Sequence, residues 1–161
     1  MKVDVVERPA VAVAGFRHTG PYGASIQRFW QETYAPWAMA NRLGADHARY
    51  GIAWDNPQTT PAKACRYDAM AELTEDFANL PGPAGVASHS MVAAGLYAVV
   101  AFRGSLPQLL DVWLWLMQDW LPASGWRMDE RPAFEYYRQG AFFDPESGEF
   151  ECEVCVPVVN A

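Results

Sequence analysis

Apolar positions along the first half of the chain change period twice. Val3 to Glu7 and, after Pro9, the apolar run Ala10 to Phe16 read as strands, the second buried and ending at His18-Thr19-Gly20. From Pro21 the period becomes helical. Ile26, Phe29, Trp30, Thr33 and Trp37 recur on one strongly aromatic face, and Gly44 is the expected stop. Pro36 falls inside this pattern and lacks a backbone donor, so it is expected to kink the helix or to end it and start a second turn. Tyr50 to Trp54 and Cys65 to Leu73 return to strand character across a loop containing Asp55-Asn56-Pro57.

The second half repeats this order. Strands are expected around Val86 to Val92 and Leu96 to Phe102, then a turn at Gly104 and a helix from about Ser105 to Trp120. Strands around Pro132 to Arg138 and Phe150 to Pro157 follow. Leu80-Pro81-Gly82-Pro83 is the linker, so one domain over 1–161 divides into repeat 1, about 1–80, and repeat 2, about 84–161. Aligning Gly20 with Gly104, an offset of 84, places Ile26 on Leu110, Phe29 on Trp113 and Tyr50 on Phe134. Each half is therefore β-β-α-β-β, and neither half buries its own apolar faces. The expected fold is α+β: two halves related by a pseudo-two-fold axis, with an antiparallel sheet and two long helices flanking a groove. Such junctions favour ligands.

Composition narrows the function. Nineteen acidic against twelve basic residues give a net charge of −7, and no Lys or Arg run forms a local basic footprint. This balance excludes nucleic acid as a direct partner and favours cations. Met1-Lys2-Val3-Asp4 has no apolar leader segment, and the apolar stretch from Leu106 to Leu121 is interrupted by Gln108, Asp111, Gln118 and Asp119. Neither a signal peptide nor a membrane span is expected. An odd cysteine count fits a reducing, cytoplasmic setting. Cys152 and Cys155 form C-x-x-C on a strand, where residues three apart face opposite ways, so packing is expected and not metal or redox chemistry. His18, His47 and His89 lack ligand spacing, and no phosphate or dinucleotide loop is present, so no metal and no cofactor is expected.

Several motifs then fall in a characteristic order. Arg17-His18-Thr19-Gly20-Pro21-Tyr22, Tyr50-Gly51-Ile52 and Cys65-Arg66-Tyr67-Asp68-Ala69 mark the first half. Gly95-Leu96-Tyr97-Ala98-Val99, Trp120-Leu121-Pro122, Arg131-Pro132-Ala133-Phe134-Glu135-Tyr136-Tyr137 and Val156-Pro157-Val158 mark the second. Together they resemble the GyrI-like (gyrase-inhibitor-like) small-molecule-binding domains, which also serve as effector-binding domains of AraC-type and MerR-type multidrug regulators.

Glu135 is the leading site candidate, because an ionised carboxylate inside the aromatic strand Phe134-Glu135-Tyr136-Tyr137 is costly without a partner. It is either an anionic anchor for a lipophilic cation or half of an ion pair with Arg131 or Arg138. The residues alone leave both open, and the resemblance favours the anchor, since a glutamate at this place contacts cationic ligands in relatives. Alternation puts Tyr137 and Ala133 on the face of Glu135, and Phe134 and Tyr136 on the other. The repeat offset sets Gly51 and Ala53 at the positions equivalent to Glu135 and Tyr137. The site is thus expected to draw open space from the first half and polar chemistry from the second. Among the aromatic residues, Trp30 and Trp113 read as core. Trp37, just past Pro36, and Trp115, on the flank of an apolar helix, read as groove walls.

The expected function is a stand-alone module, with no DNA-binding segment attached, that senses or sequesters hydrophobic cationic small molecules. The resemblance implies two alternatives. One is a cofactor-independent hydrolase of strained cyclopropane electrophiles, with Glu135 as general base and Tyr137 as proton donor. The other is a protein-interaction module whose partner is DNA gyrase.

Overall fold

The structure, a computed structural model, describes residues 1–161. The first half contributes β1 (Asp4–Arg8), β2 (Val11–Thr19), β3 (Arg49–Ala53) and β4 (Arg66–Glu72). The second contributes β5 (Ser88–Val92), β6 (Gly95–Gly104), β7 (Trp126–Met128), β8 (Ala133–Tyr137) and β9 (Phe150–Asn160). One long helix runs over 24–40 and a second over 106–123. All strand pairs are antiparallel, in the order β1-β6-β9-β8-β3-β4-β2-β5, with β7 beside the end of β9. β7 was not expected; its three residues are too short to show alternation.

Exchanging each strand for its repeat equivalent (β1 for β5, β2 for β6, β3 for β8, β4 for β9) reverses this order and leaves it otherwise unchanged. The pseudo-two-fold axis therefore passes between β3 and β8. Their register pairs Gly51 with Glu135, residues separated by the repeat offset itself, so that pair lies on the axis. The α+β fold of two related halves is the one expected from the sequence.

Both helices depart from regular α geometry at corresponding points. The first is α-helical over Ala24–Phe29, π-helical over Trp30–Tyr34 and α-helical again over Ala35–Ala40, with Pro36 two residues past the π turn. The second runs Leu106–Trp115, Leu116–Trp120 and Leu121–Ala123, with Pro122 in the same place. A proline ring crowds the carbonyl four residues earlier and offers no N–H, and a widened turn relieves both effects. Pro36 thus neither breaks nor ends its helix. The second helix starts on a capping box, in which the Ser105 side chain accepts from the Gln108 amide and the Gln108 side chain accepts from the Ser105 amide.

Two apolar cores lie under the helices, one per half. The first gathers Trp37, Phe29, Ala69 and Ala71, and the second Leu109, Leu116, Val100 and Val154. The sheet's other face carries no helix, yet Tyr50, Ile52, Tyr97 and Phe134 are buried there because the sheet curls strongly into a half-barrel. Cys152 belongs to a helix-side core and Cys155 to the inner one, as alternation requires, and both thiols are free. Burial pushes the Cys155 thiol up to about 12 and the Cys152 thiol further in the same direction.

Candidate functional site

β3 and β8 meet on the axis, and their outward-facing residues form the floor between the two helices. Register places Arg49 opposite Tyr137, Gly51 opposite Glu135 and Ala53 opposite Ala133, with the alternate residues Tyr50, Ile52, Phe134 and Tyr136 turned to the inner core. Two of the six floor positions, Ala53 and Ala133, are small and line the groove, which leaves depth. The result is a groove of about 1170 Å³, walled by Trp30 and Tyr34 from the first helix and by Leu110 and Trp113 from the second. This lies just above the usual range for drug-sized ligand sites. Met39, Leu110, Leu114 and Phe143 are exposed at its mouth, so the rim is apolar as well.

Glu135 sits at the bottom and is 9% exposed. Neither arginine considered as its ion-pair partner reaches it. Arg131 binds Asp129 at 2.7 Å and the Leu96 carbonyl at 2.9 Å, and Arg138 binds Glu151 at 2.5 Å. Instead, Tyr67 Oη donates to Glu135 Oε1 at 3.1 Å, and the Trp30 indole N–H donates to Tyr67 Oη at 3.1 Å. The carboxyl is thus held by a neutral donor and has no cationic partner in the protein. Burial pushes its pKa up to about 7, and the hydrogen bond from Tyr67 only partly opposes that rise. Burial and the Glu135 charge also raise the Tyr67 and Tyr137 phenols well above their ordinary value, so both remain protonated donors.

Gly51 makes this arrangement possible. A Cβ there would stand 2.8 Å from Tyr67 Cζ and 2.9 Å from Glu135 Oε1, inside van der Waals contact of both groups. The space above Gly51 is therefore not open, as the repeat comparison suggested. The first half fills it with the Tyr67 hydroxyl and so contributes polar chemistry of its own. Sequence reasoning missed Tyr67 as a site residue, although alternation along β4 would have set Tyr67, Ala69 and Ala71 on one face.

Of the four residues expected in the site, the structure brings Glu135 and Tyr137 together on the groove floor and leaves two outside it. Trp37 is fully buried in the first core, against Phe16, Tyr34 and Phe77 at ring separations of 5.6, 5.7 and 5.7 Å. The π turn adds a residue between Trp30 and Trp37, which rotates everything after it by about 100° and carries Trp37 off the groove face. Trp115 lies about 200° around its helix from Trp113 and faces a shallow surface depression with Met1 and Arg103. Trp30 and Trp113, read as core, are partly buried against the two cores and also line the groove, as does Trp54.

A protein-family model of the GyrI-like small molecule binding domain matches residues 1–159. The chain belongs to the GyrI-like family. The groove just described is accordingly that of a small-molecule-binding domain. A DNA gyrase inhibitor of Erwinia billingiae is 29% identical over all of this chain and 99% of its own length. Among solved structures, the EcmrR C-terminal domain superposes with a TM-score of 0.73 at 17% identity, over 99% of this chain and 98% of that one. SAV2435, solved bound to tetraphenylphosphonium, superposes with a TM-score of 0.63 at 18% identity, over 99% and 94% of the two chains. These two likenesses show that this GyrI-like domain shares their fold. Its relation to transcription regulators rests on relatives such as the probable regulator YgiV of Escherichia coli, 26% identical over 160 residues. No helix is long and apolar enough to cross a membrane.

Proposed function

We propose that this GyrI-like domain senses or sequesters lipophilic cations, with Glu135 as the counter-charge. The observation that carries this reading is a buried carboxylate at the bottom of an apolar groove, with no cation of the protein paired to it. A bound cation would remove that deficit. Trp30, Trp113 and Tyr137 offer ring faces that attract cations and flat ring systems without imposing one geometry. The tetraphenylphosphonium found on the structural neighbour SAV2435 supports the same ligand class.

The reading sets a pH dependence. Only ionised Glu135 can neutralise a cation, and its pKa of about 7 leaves most molecules protonated at pH 6 and most ionised at pH 8. Tetraphenylphosphonium does not titrate. Its affinity, followed by quenching of tryptophan fluorescence, is expected to rise about tenfold from pH 6 to pH 8 and then level off. A flat profile would remove Glu135 from the binding energetics.

The same carboxyl favours a second reading, because a pKa near 7 is the range of an effective general base. As a hydrolase, the domain would use Glu135 to take a proton from water while Tyr137 protonated the developing oxyanion. The measurement is ring-opened product formed from a cyclopropane-bearing alkylating compound. Turnover beyond one equivalent supports catalysis; release of the unchanged compound counts against it.

A further inference from the structure

The floor of the groove carries two opposite charges, Glu135 and Arg49. Across the β3–β8 pair the six outward positions are Arg49, Gly51 and Ala53 against Tyr137, Glu135 and Ala133. The repeat offset makes Arg49 the counterpart of Ala133 and Gly51 that of Glu135, so each half contributes one charged side chain whose repeat counterpart is small. Arg49 is two residues from Gly51 on the same strand face, a displacement of about 7 Å along the strand from the level of Glu135.

The environment of Arg49 leaves part of its guanidinium free. Nη1 donates to the Ala45 and His47 carbonyls at 3.4 and 3.1 Å, and the group stacks 4.8 Å from the centre of the Tyr137 ring. These contacts fix its plane. Nη2 and Nε have no acceptor in the protein, and Asp46, which also lines the groove, makes no ion pair with it. A planar, oriented guanidinium with two uncommitted donors in an apolar groove suits a carboxylate or carbonyl oxygen.

We infer that Arg49 forms an acceptor subsite beside Glu135, and that the preferred ligands are amphiphilic molecules carrying a cationic centre and, one short spacer away, a carboxylate or carbonyl group. This rests on the cation reading and adds a selectivity to it. A purely cationic ligand occupies the Glu135 end alone, whereas a zwitterion satisfies both charges of the floor.

A matched pair of probes tests it: pentyltriphenylphosphonium and (4-carboxybutyl)triphenylphosphonium, titrated at pH 8 with the full chain. The wild-type protein is expected to bind the carboxylate probe at least as tightly as the alkyl one. Arg49→Met is expected to shift the ratio of the two affinities about tenfold against the carboxylate, and Arg49→Lys to restore part of it. Thermal melts of both variants establish that the fold is kept. If the wild type binds the alkyl probe and discriminates tenfold against the carboxylate, the subsite is overturned while the cation reading stands. The same holds if Arg49→Met leaves the ratio unchanged. If neither probe binds, the cation reading falls and the subsite with it.

Discussion

Glu135→Gln is expected to weaken tetraphenylphosphonium binding about 30-fold at pH 8 while making the free protein more stable. The amide keeps the volume and can still accept from Tyr67, so what is lost is the charge. Removing one member of a desolvated charge pair costs at least ~2 kcal/mol, which is the 30-fold figure. The stability change has the opposite sign. Folding raises the carboxyl pKa from 4.5 to about 7, so between those values the native state binds more protons than the unfolded state. Stability is complete below about pH 4.5, falls as the pH rises to about 7, and stays lower above. Glutamine does not ionise and escapes this loss. At pH 8 the variant should gain of order 3 kcal/mol, about 6–12 °C in melting temperature for a chain of this size, with no gain at pH 4.5. Melts at the two pH values, read beside the titration, check both halves. A variant that melts lower at both and binds normally would make Glu135 a structural residue.

Trp37→Ala is expected to have the largest effect on folding. The indole is fully buried, touches Phe16, Tyr34 and Phe77, and lies against the mid-chain linker, where a Cβ on Gly82 would come within 2.9 Å of Trp37 Cα and Cβ. Its removal leaves a cavity beneath both the first helix and the linker, at a cost of about 3–5 kcal/mol. The expected result is a melting temperature lower by about 10 °C. Trp113→Ala, on the groove wall, should instead weaken ligand binding with a smaller change in melting. The reverse pattern would restore Trp37 to the groove.

The contrast between these tryptophans shows what the chain makes legible. The duplication could be read because it repeats turn residues and strand order. Its offset, from Gly20 and Gly104, made Gly51 and Glu135 repeat equivalents, and the structure pairs the two across the axis. Alternation placed Glu135 and Tyr137 on one face because strand geometry has a fixed period of two. Helix phase was less secure. The period of 3.6 holds only while the hydrogen bonding is regular, and the π turns ahead of Pro36 and Pro122 shift it by one residue with no distinct signature of their own. Tyr67 went unnoticed for a different reason. Its role follows from the missing side chain of Gly51 on the neighbouring strand, and that coupling appears only once β3 and β4 are paired.

A buried Glu135 without a cationic partner implies that charge, and not shape alone, selects what enters the groove. Tetraphenylphosphonium and tetraphenylborate have nearly the same size and the same four phenyl arms but opposite charge, so their affinities at pH 8 isolate it. The phosphonium is expected to bind and to quench Trp30 and Trp113, and the borate is expected to show no measurable binding. Equal affinity for the two would contradict selection by charge.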